Sequence, residues 1–259
     1  MLDTIQYLLG AGSGVLVGFV LGLVGGGGSI LAVPLMVYLV GVPSPHVAIG
    51  TSALAVAMNA LTGLANHVRL GHVKWRCALV FAASGVAGAL AGSTAGKAFD
   101  GQKLLFLFAI VMVVVGALML RNRRREGDPS VVLGRENAPK LVGYGAGTGL
   151  FSGFFGIGGG FLIVPGLVAA TGMPMINAIG SSLVAVAAFG LTTAANYAVS
   201  GLVDWPLALV FILGGIVGGF IGARLAKRLS AAHGRLTTIF ASLIFVVAAY
   251  MAWKSSAAF

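Results

Sequence analysis

The chain has 259 residues, of which 58% are hydrophobic and 8% charged, and its formal net charge is +10. Soluble domains carry roughly a quarter charged residues, and one core cannot hide this much apolar surface, so a soluble globular protein is excluded. The basic excess sits in short loops between apolar runs, as membrane orientation requires. Nucleic-acid binding is therefore not expected, and the lone Cys77 excludes an intrachain disulfide or a cysteine metal cluster.

In chain order, apolar segments are expected at 5–24, 29–41, 47–65, 76–96 and 103–120, then at 140–155, 160–172, 177–198, 206–223 and 236–253. The opening MLDTIQYLLG has no basic n-region and no small-residue cleavage site, so it reads as the start of the first helix. Most of these runs are long enough to cross a hydrocarbon core. Segments 29–41 and 160–172 are short, about 20 Å as helices, and are expected to be short or re-entrant. The chain divides into a first membrane repeat (1–120), a basic linker (121–139) and a second membrane repeat (140–259).

The halves are copies of one unit. GLVGGGGSILAVP (22–34) aligns with GFFGIGGGFLIVP (153–165), placing Gly25, Gly27 and Gly28 on Gly156, Gly158 and Gly159. After a one-residue gap, Thr51-Ser52 falls on Ser181-Ser182, Asn66 on Asn196, Trp75 on Trp205, Gly85, Gly88 and Gly92 on Gly215, Gly218 and Gly222, and Lys97 on Lys227.

Loop charges set the orientation. The Arg121–Arg125 cluster places the linker in the cytoplasm, and two crossings back the loop with Arg69, Lys74 and Arg76 is cytoplasmic too. Counting forward, the equivalent loop of the second half is outside and carries only Asp204. Loop charge therefore swaps sides between halves, which needs an odd number of crossings per repeat. The reading is an all-α integral membrane protein of two inverted-topology repeats, each of about five apolar segments, with both termini outside. Glycine-broken short or re-entrant helices are expected to meet near the midplane.

Runs of glycine are poor helix formers and permit sharp turns, and broken backbone at membrane depth survives only where it is buried in protein or faces a watery cavity. A helix restarting at Ser29 or Gly160 would aim its free N–H groups into the break, a ready anion site. The expected substrate-binding residues are Gly25, Gly26, Gly27, Gly28, Ser29, Thr51 and Ser52, with Gly156, Gly158, Gly159, Gly160, Ser181 and Ser182. Asn66, Asn196 and His46 are candidate pathway residues. Asn59, Thr62, Thr192 and Thr193 are further polar residues inside apolar runs. Gly85, Gly88, Gly92 and their counterparts fit close helix packing. His67 and His72 read as ordinary juxtamembrane residues, and Trp75, Trp205 and Trp253 as interfacial anchors.

None of Asp3, Asp100, Glu126, Asp128, Glu136 or Asp204 falls inside an apolar run. A carboxylate relay and a cation substrate are thereby disfavoured, and an uncharged, dipole-lined site suits an anion. No metalloprotease, nucleophile-elbow or phosphate-loop motif occurs, so neither an enzyme nor a cofactor is expected.

The duplicated glycine-rich segment running to Pro34 and Pro165, followed by Gly50-Thr51-Ser52 and Gly180-Ser181-Ser182, resembles the sulfite exporter TauE/SafE family of prokaryotic membrane permeases over 10–253. The resemblance implies transport of small sulfur-containing anions, such as sulfite, sulfoacetate or other organosulfonates, across the cytoplasmic membrane. Expected partners are a small anionic substrate and the lipid bilayer, and a homo-oligomer is compatible with the sequence. The alternative is an anion channel, or a permease for another small anion.

Overall fold

The computed structural model describes residues 3–121, 128, 131–156, 160–229, 245–251 and 253–254. Regular structure among them is entirely helical: α1 (Thr4–Val24), α2 (Ala32–Pro34), α3 (Pro45–Arg69), α4 (Trp75–Ala98), α5 (Gly101–Arg121), α6 (Ala138–Phe155), α7 (Gly160–Thr171), α8 (Met175–Val199) and α9 (Trp205–Leu229). Residues 245–251 are helical as well. Among the described residues, five stretches are long and apolar enough to cross a membrane: Thr4–Leu23, Pro45–Arg69, Trp75–Ala98, Met175–Val199 and Trp205–Leu225.

The first glycine run departs from expectation. It is not an open break with a fresh helix starting at Ser29. Instead α1 tightens directly into a 3-10 helix, Gly25–Leu31, which continues through α2 into a π-helical turn, Leu35–Leu39. In that turn the Val40 N–H reaches the Leu35 carbonyl at 2.9 Å, a widening next to Pro34, which has no N–H to give. The glycines still reverse the chain. A Cβ on Gly28 would come within 2.8 Å of Leu21 Cα, seven residues back along the sequence.

The second run behaves as expected at its start. Gly156 adopts a left-handed conformation (φ 68°), and its N–H bonds the Gly153 carbonyl at 3.2 Å to end α6. Gly158 and Gly159 lie outside the described residues.

Helices pair across the halves. α1 lies along α9, α4 along α6, and α3 along α8. Since α1 aligns with α6 and α4 with α9, the first two pairings are the same contact made twice. Glycines bring these backbones together: a Cβ on Gly88 would sit 2.8 Å from Leu150 N, and one on the aligned Gly218 2.8 Å from Phe19 N.

Helix ends repeat too. α3 and α8 each finish at a left-handed glycine, Gly71 (φ 72°) and Gly201 (φ 69°). His72 N–H then bonds the His67 carbonyl at 3.0 Å, as Leu202 N–H bonds that of Tyr197 at 3.0 Å. The loops that follow are tied to the opposite half. Thr51 Oγ1 accepts the Asp204 N–H at 2.9 Å, and Ser181 Oγ accepts the Lys74 N–H at 2.9 Å.

Candidate functional site

Asn59, Thr62 and Asn66 are spaced i, i+3 and i+7, so they share one face of α3. His67 closes the last turn of that helix, and the left-handed Gly71 folds the chain back so that the His72 ring comes 5.5 Å from the His67 ring. Together these five side chains supply the polar wall of a cavity of about 520 Å³. Its remaining wall is apolar or glycine, including Leu21 and Gly22 of α1, Ile179 and Leu183 of α8, and Gly219 and Phe220 of α9. Among the described side chains, no Asp, Glu, Lys or Arg lines it.

Asn59 is only 2% exposed, and neither its Nδ2 nor its Oδ1 has a hydrogen-bond partner. Nδ1 of His67 and of His72 are likewise buried and unpartnered. An unmade hydrogen bond to a buried amide costs about 1–3 kcal/mol, so such a group in a cavity wall points to a ligand. Basic residues neighbour this lining in sequence: Arg69 ends α3 beside the lining Leu70, Lys74 and Arg76 flank the start of α4, and Arg224 follows the lining Ala223.

The aligned positions in the other half carry larger side chains. Where the cavity has Asn59 against Gly215, the second half has Phe189 against Gly85, and where it has His67, the second half has Tyr197. Phe189 and Tyr197 are fully buried, and Phe189 stacks on Phe81 with ring centroids 6.3 Å apart. These positions are tied at their end by Lys97 of α4. Its Nζ donates to Asn196 O (3.0 Å), Asn196 Oδ1 (2.9 Å) and Ser200 Oγ (2.9 Å) on α8. Asn196 Nδ2 returns the link, donating to Ser93 Oγ at 2.7 Å and Thr94 Oγ1 at 3.0 Å.

The residues expected from sequence therefore divide. Asn66 lines the cavity, its counterpart Asn196 is locked to Lys97, and His46 lies on the filled side, its ring 6.4 Å from that of Tyr197. Thr51 and Ser181 join the halves, while Ser52 and Ser182 donate to carbonyls of their own helices, Ile49 (3.0 Å) and Ile179 (2.7 Å). All four hydroxyl residues are buried, and none lines the cavity.

The 3-10 segment Gly25–Leu31 packs against α7 (Gly160–Thr171). Gly28 and Ser29 are buried there. The first run shapes the cavity indirectly, because Gly28 turns back onto Leu21 in its wall. The histidine pair was missed in the sequence, where both residues read as loop edge. The available signal was the polar i, i+3, i+7 spacing on α3, running directly into His67.

A family model described as sulfite exporter TauE/SafE matches residues 10–251. A "Probable membrane transporter protein" of Xylella fastidiosa (strain Temecula1) is 54% identical over 257 residues, covering 97% of each chain. Probable membrane transporter protein YunE of Bacillus subtilis (strain 168) is 27% identical over 237 residues, covering 83% of this chain and 87% of its own. Probable membrane transporter protein MJ0441 of Methanocaldococcus jannaschii is 23% identical over 255 residues, covering 92% and 93%. No solved structure matches the chain.

Proposed function

The chain belongs to the sulfite exporter TauE/SafE family of membrane transporters, and from that premise we propose that it carries small sulfur-containing anions, sulfite or organosulfonates, across the cytoplasmic membrane by alternating access. One observation carries this reading. A polar cavity with an unpartnered buried amide lies in one half, while the aligned positions of the other half carry the fully buried Phe189 and Tyr197 and are tied at their end by the Lys97–Asn196 link. A channel needs a continuous path, whereas a carrier needs two half-paths of which one is closed.

The duplicated helix pairings and the reciprocal Thr51–Asp204 and Ser181–Lys74 bonds support two inverted repeats joined across the linker. In such a carrier, exchanging the conformations of the two repeats closes one path and opens the other. With the linker in the cytoplasm and both termini outside, the open cavity faces inward and the Lys97 closure faces outward. The absence of acidic residues among the described lining residues favours an anion over a cation.

The test is counterflow in vesicles reconstituted with purified protein. Labelled sulfite or sulfoacetate should accumulate when the vesicles are preloaded with the unlabelled anion, and should saturate with concentration. A flux that never saturates and ignores preloading would favour a channel, and no flux of either anion would remove the sulfur-anion assignment.

A further inference from the structure

Resting on the transporter reading, we propose that Asn59, His67 and His72 form the anion-binding site of the cavity, and that a divalent sulfur oxyanion binds there together with a proton held by the histidine pair. Asn59 supplies the first element. Its buried amide has both polar atoms unpartnered, and Nδ2 is a hydrogen-bond donor suited to an oxyanion. The histidines supply the second. Their rings are 5.5 Å apart, and the Nδ1 atoms of both are buried without partners.

Two imidazolium rings at that spacing would repel one another. An anion lodged against the pair offsets that repulsion by compensating the positive charge. Anion and proton therefore favour each other's binding, and this mutual dependence is thermodynamically required once one ligand alters the other's affinity.

Among the described side chains, the wall supplies no competing charge. α1, α8 and α9 contribute Leu21, Gly22, Ile176, Ile179, Gly215 and Phe220 to the wall, none of them titratable. The nearest charges along the chain, Arg69, Lys74 and Arg224, are all basic and neighbour lining residues in sequence, so that they draw anions in. The proton moves from solvent to an imidazole nitrogen as the anion enters and returns to solvent as it leaves, so no other reactant is needed. Anion affinity then falls as pH rises.

The experiment is titration calorimetry on purified full-length protein with sulfoacetate, a dianion at any pH near neutrality. It is run at one pH in two buffers of different ionisation heat, so that the difference gives the protons taken up. The wild type should take up as much as about one proton per anion, and His67→Gln and His72→Gln should each bring the uptake close to zero. Asn59→Leu should weaken binding at least about tenfold yet keep the uptake at saturation. Asn59→Asp, nearly identical in shape, should bind no anion.

Unchanged proton uptake in both histidine variants, or wild-type affinity in both Asn59 variants, overturns the site while leaving the transporter reading intact. Failure of the wild type to bind sulfoacetate, when counterflow of the same anion is present, also overturns it. Failure of both binding and counterflow removes the underlying function instead.

Discussion

Thr51 and Asp204 lie 153 residues apart in sequence, yet the Thr51 hydroxyl oxygen accepts the Asp204 backbone N–H at 2.9 Å. The bond fixes the loop before α9 onto α3, and Ser181 fixes the loop before α4 onto α8. Both acceptors are fully buried, so each is a seam between the halves. Thr51→Val, which keeps the shape and removes the acceptor, should destabilise the protein by about 1 kcal/mol, because it strands a part-buried N–H. Thr51→Ser should recover most of that loss. Thermal unfolding in detergent checks both, and an unchanged midpoint for Thr51→Val would show that the seam contributes nothing.

Asn59 should show the opposite balance. Its unpartnered amide is a cost borne by the empty protein. Replacing it by leucine, of the same branching, should leave the unfolding midpoint unchanged or raise it by the equivalent of up to about 2 kcal/mol, while binding weakens at least about tenfold. A clear fall in the midpoint would mean that the amide stabilises the fold.

Lys97 should hold the filled side closed. Its three oxygen acceptors are all neutral, so substituting methionine removes the links without creating an unpaired acid. Thr193, fully buried on α8, is the counterpart of the cavity-lining Gly63 and serves as a reporter. With the native Cys77 replaced by serine, Thr193→Cys should react with a maleimide at least about ten times faster once Lys97→Met is added. Equal rates would show that Lys97 does not gate that end.

Much of the helical layout was legible in the sequence because span length and loop charge are local properties. The expected 47–65 and 177–198 are α3 and α8, each extended by a few residues at its ends. The repeat was legible as well, down to Gly71 and Gly201, whose left-handed turns are a local requirement of the chain.

The first glycine run was misread because its propensity argues against an α-helix but does not exclude the tighter 3-10 turn that forms. The site was only half legible. Asn59, Thr62 and Asn66 stood out as polar residues in an apolar run. Whether they face a cavity depends on how closely α9 approaches α3, and that distance is set by tertiary packing. The differences that fill one half and open the other, Phe189 for Asn59 and Tyr197 for His67, carry meaning only once the halves are superposed.

The glycine contacts between helices give a matched pair of expectations. Gly88→Ala and Gly218→Ala each press a methyl group against backbone, at Leu150 N and Phe19 N respectively. Neither backbone can yield without separating its helix pair. Both should lower the yield of folded protein to a similar degree, by about 1–3 kcal/mol in stability. Gly134→Ala, where a Cβ meets open space, is the control. A large difference between the two substitutions, read by size-exclusion profile and unfolding midpoint, would mean that the α4–α6 and α1–α9 contacts are not equivalent in the membrane.

The most direct test of the central claim is chemical labelling of Asn66→Cys in a Cys77→Ser background, in sealed vesicles of known orientation, with a membrane-impermeant maleimide. Asn66 lines the open cavity. The account predicts labelling from the side that bears the 121–139 linker, slowed by saturating sulfoacetate and not by an equal concentration of potassium gluconate. Labelling at equal rates from both sides, or at a rate indifferent to the sulfur anion, would contradict a one-sided substrate cavity.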